Sequence, residues 1–129
     1  MELDELSWEK FDSACIQIAE TIRQELELLG YQMFENIYGI PRGGLVVAVR
    51  LSHLLDIPLT ETPEKKKTLI VDDICDSGKT MIKYKGYATA CIYKDKQSIY
   101  QPTWWIYKKK EFVKFPWETE ETAKIDYEE

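Results

Sequence analysis

Histidine is almost absent from this 129-residue chain. The only one, His53, lies in or at the edge of an apolar helical face and reads as a packed or exposed side chain rather than a catalytic one. Cysteine is scarce too. Cys15, Cys75 and Cys91 are odd in number and widely spaced, which excludes a disulfide framework and a CxxC metal site and leads us to expect a reducing cytosol. No long proline, glycine or serine tract marks a linker and no repeat is visible, so we expect one domain over residues 1–129 with an acidic tail from about residue 119. No apolar run approaches the length of a membrane span, and the opening MELDELSW is acidic without an apolar core. Neither export nor insertion is expected, and the cytoplasm is the expected location. An excess of positive charge is also missing: the net charge is -6, which argues against a general nucleic-acid binder and for small-molecule partners, although a local basic pocket could hold an anion. What is present is ordinary globular material, 44% hydrophobic and 31% charged.

Trp8, Phe11, Cys15, Ile18, Ile22, Leu26 and Leu29 recur at three- and four-residue steps, so the pattern predicts one amphipathic helix with Ser7 as N-cap and Gly30 as stop. A strand over about Asn36 to Ile40 runs into Pro41, Arg42, Gly43 and Gly44. LVVAVRLSHLLD then reads as a mostly buried helix closed before Pro58. Further strands are expected near Leu59 to Thr62, Thr68 to Val71, Tyr87 to Tyr93 and Thr103 to Tyr107, with a short helix from near Gly78 fading by Lys85. Strands alternating with helices predict an α/β fold, a mostly parallel sheet flanked by helices, with ligands at the carboxyl ends of the strands. Tyr38, Trp104 and Trp105 read as core or subunit interface.

One segment carries the chemistry. In LIVDDICDSGKT an apolar strand meets Asp72, Asp73 and Asp76, and acids this close repel one another unless a metal, hydroxyl donors or a cation shares them. A Walker A loop needs glycine five residues before Gly78, where Asp73 stands, and GIPRGG does not match GxGxxG. Asp76 to Thr80 can instead form a turn whose N–H groups and Ser77 and Thr80 hydroxyls wrap a monophosphate. Asp72 and Asp73 can bind a sugar diol or Mg²⁺. Phosphate, diol and metal in one segment describe a phosphorylated ribose.

LIVDDICDSGKT resembles the phosphoribosyl diphosphate (PRPP) motif of the type I phosphoribosyltransferases, and IPRGGL resembles their pyrophosphate loop, often built on a non-proline cis peptide. With the opening tryptophan helix, CIYK and FPWE, the chain looks most like the xanthine-guanine (6-oxopurine) enzymes over roughly residues 7 to 118. The resemblance implies Mg²⁺-dependent displacement of pyrophosphate from PRPP by a 6-oxopurine base, giving a nucleoside 5′-monophosphate. It assigns PRPP binding to Arg42, Gly43, Asp72, Asp73, Asp76, Ser77, Gly78, Lys79 and Thr80. Asp73 would coordinate Mg²⁺ and Asp76 would take the proton from purine N7. Lys94 would donate to O6, while Phe112 stacks on the base and the Val113 backbone reads the 2-position. From the residues themselves, Phe112 and Trp117 are both open between base stacking and core packing. A homodimer or homotetramer is implied.

The lid of that family, between the second and third strands, is reduced here to about ten residues, Leu59 to Thr68. Lys65, Lys66 and Lys67 in it either draw in the diphosphate or form a solvated turn. Two other readings remain: a regulatory protein that binds PRPP or a nucleotide without turnover, and a phosphoribosyltransferase for another base. The presence of Asp76 and Lys94 favours the purine enzyme.

Overall fold

The computed structural model describes residues 3–109, 112–119 and 121–122, so most of the expected acidic tail lies outside the described residues. In chain order the elements are β1 (Leu3–Glu5), α1 (Trp8–Leu29), β2 (Asn36–Gly39), α2 (Gly43–Leu55), β3 (Thr68–Cys75), a 3₁₀ turn (Met81–Tyr84), β4 (Ala88–Lys94), β5 (Trp104–Lys108) and β6 (Phe112–Lys114). Strands β2-β3-β4-β5 form one parallel sheet in sequence order, and β1 pairs with β6 in a separate parallel ribbon.

Helix α1 follows its sequence signals closely. The Ser7 hydroxyl accepts from the Lys10 N–H at 3.1 Å, and Gly30, at φ 75°, closes the last turn with its N–H on the Glu27 carbonyl. Caps of this kind contribute about 1 kcal/mol each. Phe11, Cys15, Ile18, Ile22 and Leu26 are buried, so the middle of the predicted stripe is the packed part, whereas Trp8 and Leu29 at its two ends are exposed because the helix extends past the sheet there. Helix α2 buries Val47, Ala48, Leu51 and Leu55 on the same sheet face. It can approach so closely because Gly39 has no side chain: a Cβ there would stand 2.5 Å from the Gly44 carbonyl oxygen and 2.7 Å from Ala48 Cβ.

The other sheet face carries a thinner layer. Ile40, Ile70, Cys75, Met81 and Cys91 form its buried part, with Tyr38, Tyr84, Tyr87, Tyr100 and Trp105 packed around them. The helix expected from Gly78 is here a single 3₁₀ turn of four residues, of which only Met81 is buried. One turn offers too few hydrogen bonds to offset helix nucleation, and Gly86 at φ 99° ends the segment. The strand expected at Leu59 to Thr62 is a single bridge from Leu59 to Ile37, because Pro58 and Pro63 bracket it and lack donors for a longer ladder. By contrast β3 runs four residues further than expected, through both acids to Cys75, because β4 continues alongside it as far as Lys94.

The packing settles several open side chains. Trp117 stacks on Phe115 at 5.0 Å and meets Phe11 edge-on at 5.3 Å, so it packs in the core. Trp104 is buried, and its indole N–H donates to Glu25 at 2.6 Å. His53 is exposed. Lys67 pairs with Glu64 and Glu35, and Lys65 lies beside Gly86; this lysine turn sits at the amino end of β3, away from the acids, and is the solvated turn of the two readings.

Candidate active site

A cleft of about 570 Å³ opens at the carboxyl ends of β2 and β3. It is lined by residues 40–43, residues 72–81, Phe115 and Glu118. Both loops singled out in the sequence therefore face one space, as a parallel sheet requires of loops that follow adjacent strands.

The first loop follows β2. The peptide joining Pro41 to Arg42 is cis, and Gly43 opens α2 at once. Gly43 is required by close approach: a Cβ on it would overlap the carboxylate of Asp73. The Asp73 carboxylate thus reaches across from β3 into the backbone turn of the first loop. Gly44 is equally tight, with its missing Cβ 2.7 Å from the Val71 carbonyl oxygen.

The second loop grows out of β3. Asp73 is 8% exposed, and its N–H donates to Asp72 Oδ1 at 2.8 Å. Burial first, and the adjacent Asp73 charge second, push the Asp72 carboxyl well above its ordinary value of 3.8. The folded state therefore holds the Asp72 proton more tightly than the unfolded chain does. That contribution to stability is fully present below about pH 3.8 and is lost as pH rises through the raised folded value. Asp72→Asn, which cannot ionise, is expected to melt at a higher temperature than the unsubstituted protein near neutral pH, with the gap closing toward pH 4. Thermal unfolding across that range checks it; a constant gap would show that charge at Asp72 is not the cause.

Beyond Cys75 the chain turns at Gly78, whose φ of 86° favours glycine and whose missing Cβ would stand 2.6 Å from Ser98 Oγ and 2.8 Å from the Tyr100 nitrogen. The Lys79 N–H donates to Ser77 Oγ at 3.2 Å, and Ser77, Lys79 and Thr80 are exposed toward the cleft mouth. The segment linking β4 to β5 holds this loop from behind. The Asp95 N–H donates to the Cys75 carbonyl and the Ile99 N–H to the Ser77 carbonyl, each at 2.9 Å.

Asp76 lies at the turn and is in contact with a cation that sequence reasoning passed over. Lys109 Nζ donates to Asp76 Oδ1 at 2.7 Å and stands 3.6 Å from Asp95 Oδ2. A run of three lysines, 108–110, reads as a solvated strand end, and only the sheet geometry brings its middle member onto Asp76. Of the residues expected around a base, Phe112 and Val113 fall on β6, with Val113 fully buried and Phe112 under the Lys109 ammonium. Lys94 ends β4 with its ammonium 5.6 Å from the centroid of Trp105, outside the residues that line the cleft.

Among the described residues no group of three or more acidic, histidine or cysteine side chains could hold a metal, and no helix is long and apolar enough to cross a membrane. No family model and no curated protein matches the chain. Solved structures do. The xanthine-guanine-hypoxanthine phosphoribosyltransferase of Helicobacter pylori is 18% identical with a TM-score of 0.76, over 97% of this chain and 99% of that one. A Neisseria gonorrhoeae protein solved with bound ppGpp is 16% identical with a TM-score of 0.68, over 98% and 96% of the two chains. At these identities the likeness concerns the fold. A purine phosphoribosyltransferase of Pyrococcus horikoshii is nearer in sequence, 29% identical with a TM-score of 0.79 over 92% of this chain and 95% of that one. With the acid-ended strand and its glycine turn arranged on it, the chain has the type I phosphoribosyltransferase fold and is similar to purine phosphoribosyltransferases of that fold.

Proposed function

We propose that the protein transfers the 5-phosphoribosyl group of PRPP to a 6-oxopurine, releasing pyrophosphate and a purine nucleoside 5′-monophosphate. The observation that carries this reading is the convergence of the Arg42–Gly43 turn, the Asp72–Asp73 pair and the Asp76–Thr80 turn on one cleft. These are the partners that a diphosphate, a ribose diol and a 5′-phosphate need, in the order in which PRPP presents them.

In this reading the backbone N–H groups of residues 77–80, with the Ser77 and Thr80 hydroxyls, bind the 5′-phosphate. Asp72 and Asp73 accept from the ribose hydroxyls, and Arg42 with the turn at Gly43 receives the diphosphate. Asp76 accepts the N7 proton of the purine as N9 attacks C1′. Phe112 and the Val113 backbone bound the base, with Lys94 as the oxo-group donor that the family resemblance assigns. A homodimer or homotetramer belongs to the same proposal, and Leu45 and Val49, exposed one turn apart on α2, offer an apolar patch for it.

The residues present fit Mg²⁺ carried by the substrate rather than caged by protein. Two adjacent carboxylates are what such an ion takes from a protein when phosphates and water complete its shell, and Asp72 and Asp73 stand side by side at the end of β3 on the wall of the cleft. Bound there, Mg²⁺ would neutralise charge on the departing diphosphate. Asp73 would hold it.

A second reading, a nucleotide-binding regulatory protein without turnover, is favoured by the ppGpp complex of the Neisseria gonorrhoeae neighbour. One assay separates the two. Pyrophosphate release from PRPP with Mg²⁺ is expected on addition of guanine, xanthine or hypoxanthine and not of adenine or uracil. No release with any of these bases, alongside tight nucleotide binding, would favour the regulator.

A further inference from the structure

Strands β3, β4 and β5 end level with one another. Cys75 is paired with Lys94 and Lys94 with Lys108, and each of the three is the last residue of its strand. The residues that follow, Asp76, Asp95 and Lys109, therefore stand in a row across the carboxyl edge of the sheet, one strand spacing of about 4.8 Å apart. Lys109 is at one end of the row and Asp76 at the other. The lysine stem spans it: Nζ donates to Asp76 Oδ1 at 2.7 Å and stands 3.6 Å from Asp95 Oδ2. Asp95 is itself fastened on three sides. Its N–H donates to the Cys75 carbonyl at 2.9 Å, its carbonyl accepts from the Ser98 N–H at 3.0 Å, and its Oδ1 accepts from the Gln97 N–H at 2.8 Å. One carboxylate oxygen thus serves its own turn and the other faces the ammonium.

We propose that Asp95 is a positioning residue for Asp76: by sharing the Lys109 ammonium it holds that cation, and through it the Asp76 carboxylate, in place for proton transfer. The inference rests on the reading of Asp76 as the acceptor of the N7 proton. Asp95 is not among the residues that line the cleft, so it acts through Lys109 and not on the substrate. The Lys109 side chain is 12% exposed, and a cation so largely removed from water needs anionic partners. Deprived of the Asp95 charge, the ammonium closes more tightly on Asp76 and draws its carboxylate along the row, out of line with the base. A shift of that kind slows a proton transfer while the fold stays intact.

Asp95→Asn isolates the contact. Its amide oxygen can still accept from the Gln97 N–H, which leaves the amide NH₂ facing the Lys109 ammonium, donor against donor. With PRPP, Mg²⁺ and whichever of guanine, xanthine or hypoxanthine is turned over fastest, kcat is expected to fall by about tenfold, within the ~10²-fold that a misplacement of about 1 Å can cost. The backbone bonds to the phosphate-side turn are kept, so calorimetric PRPP affinity should change by less than about threefold. The decisive comparison is the same substitution in an Asp76→Asn background, read in two ways. There kcat should fall by less than about a further twofold, because the group that Asp95 positions has already lost its function. The thermal midpoint should instead fall further than it does in the wild-type background, since the ammonium then loses both of these carboxylates. A purely structural role would enlarge the two losses together; that outcome, or an unchanged kcat in Asp95→Asn alone, overturns the proposal. Should the double variant fail to fold, Asp95→Ser, whose hydroxyl can still accept from Gln97, decides: a loss of kcat at unchanged PRPP affinity supports the assignment, and an equal loss of both overturns it. No pyrophosphate release by the wild-type protein with any oxopurine would defeat the transferase reading. The midpoints then decide alone: additive shifts overturn the link from Asp95 through Lys109 to Asp76, and the larger second loss supports it.

Discussion

Asp76→Asn is expected to lower the turnover number by about 10²–10⁴-fold, the usual contribution of a positioned general base, while changing PRPP affinity by only a few-fold. The split follows from where the side chain sits. Asp76 begins the phosphate-side turn, yet its carboxylate is directed to Lys109 rather than back into the Ser77–Thr80 backbone. Asparagine keeps the shape and can still accept from Lys109, so the turn should hold. What it cannot do is receive a proton from N7 while N9 attacks. Steady-state kinetics paired with equilibrium PRPP binding separates the two effects. An equal loss of both would mean that Asp76 serves the phosphate site and that proton removal falls to another group.

Gly43→Ala is expected to weaken PRPP binding by about 10- to 100-fold, equivalent to one or more charge-assisted hydrogen bonds, with little loss of fold stability. Two effects oppose each other in the folded protein. Alanine at the start of α2 favours the helix by up to about 1 kcal/mol over glycine. Its Cβ, however, would occupy the space of the Asp73 carboxylate, which must turn away and leave a largely buried position. The thermal midpoint should therefore move little, whereas the contact between the two loops is lost outright. Isothermal titration with PRPP and Mg²⁺, beside a melting curve, is the check. Full affinity in the variant would show that Asp73 and the Arg42–Gly43 turn act independently.

The legible part of this protein was the part whose signals are local. The stripe from Phe11 to Leu26, its serine cap and its glycine stop are written within one helix, and they reappear in the structure residue by residue. The acid-rich strand end was legible for the same reason, since the apolar run, the three acids and the glycine turn that line the cleft fall within one short segment. The pairing of β1 with β6 was not. Each strand is three residues long, too short for an alternation to register, and Leu3 finds Phe112 only once the whole chain has folded between them. Lys109 was hidden in a similar way, because nothing within a run of lysines tells which one meets Asp76. The direction of Lys94 depends on Trp105 of the neighbouring strand. Local pattern thus located the loops, and long-range contact decided which side chains face each other.

The β4–β5 segment that grips the phosphate-side turn through Asp95, Ser98 and Ile99 also bears on the heat signature of ligand capture. A turn already fastened on its inner side lost its backbone freedom when the chain folded, so an incoming phosphate has little left to order there. Where a flexible anion loop shows a large unfavourable entropy on saturation, this one should take up its phosphate with a small entropic term and arrive at the bound geometry as fast as collision allows.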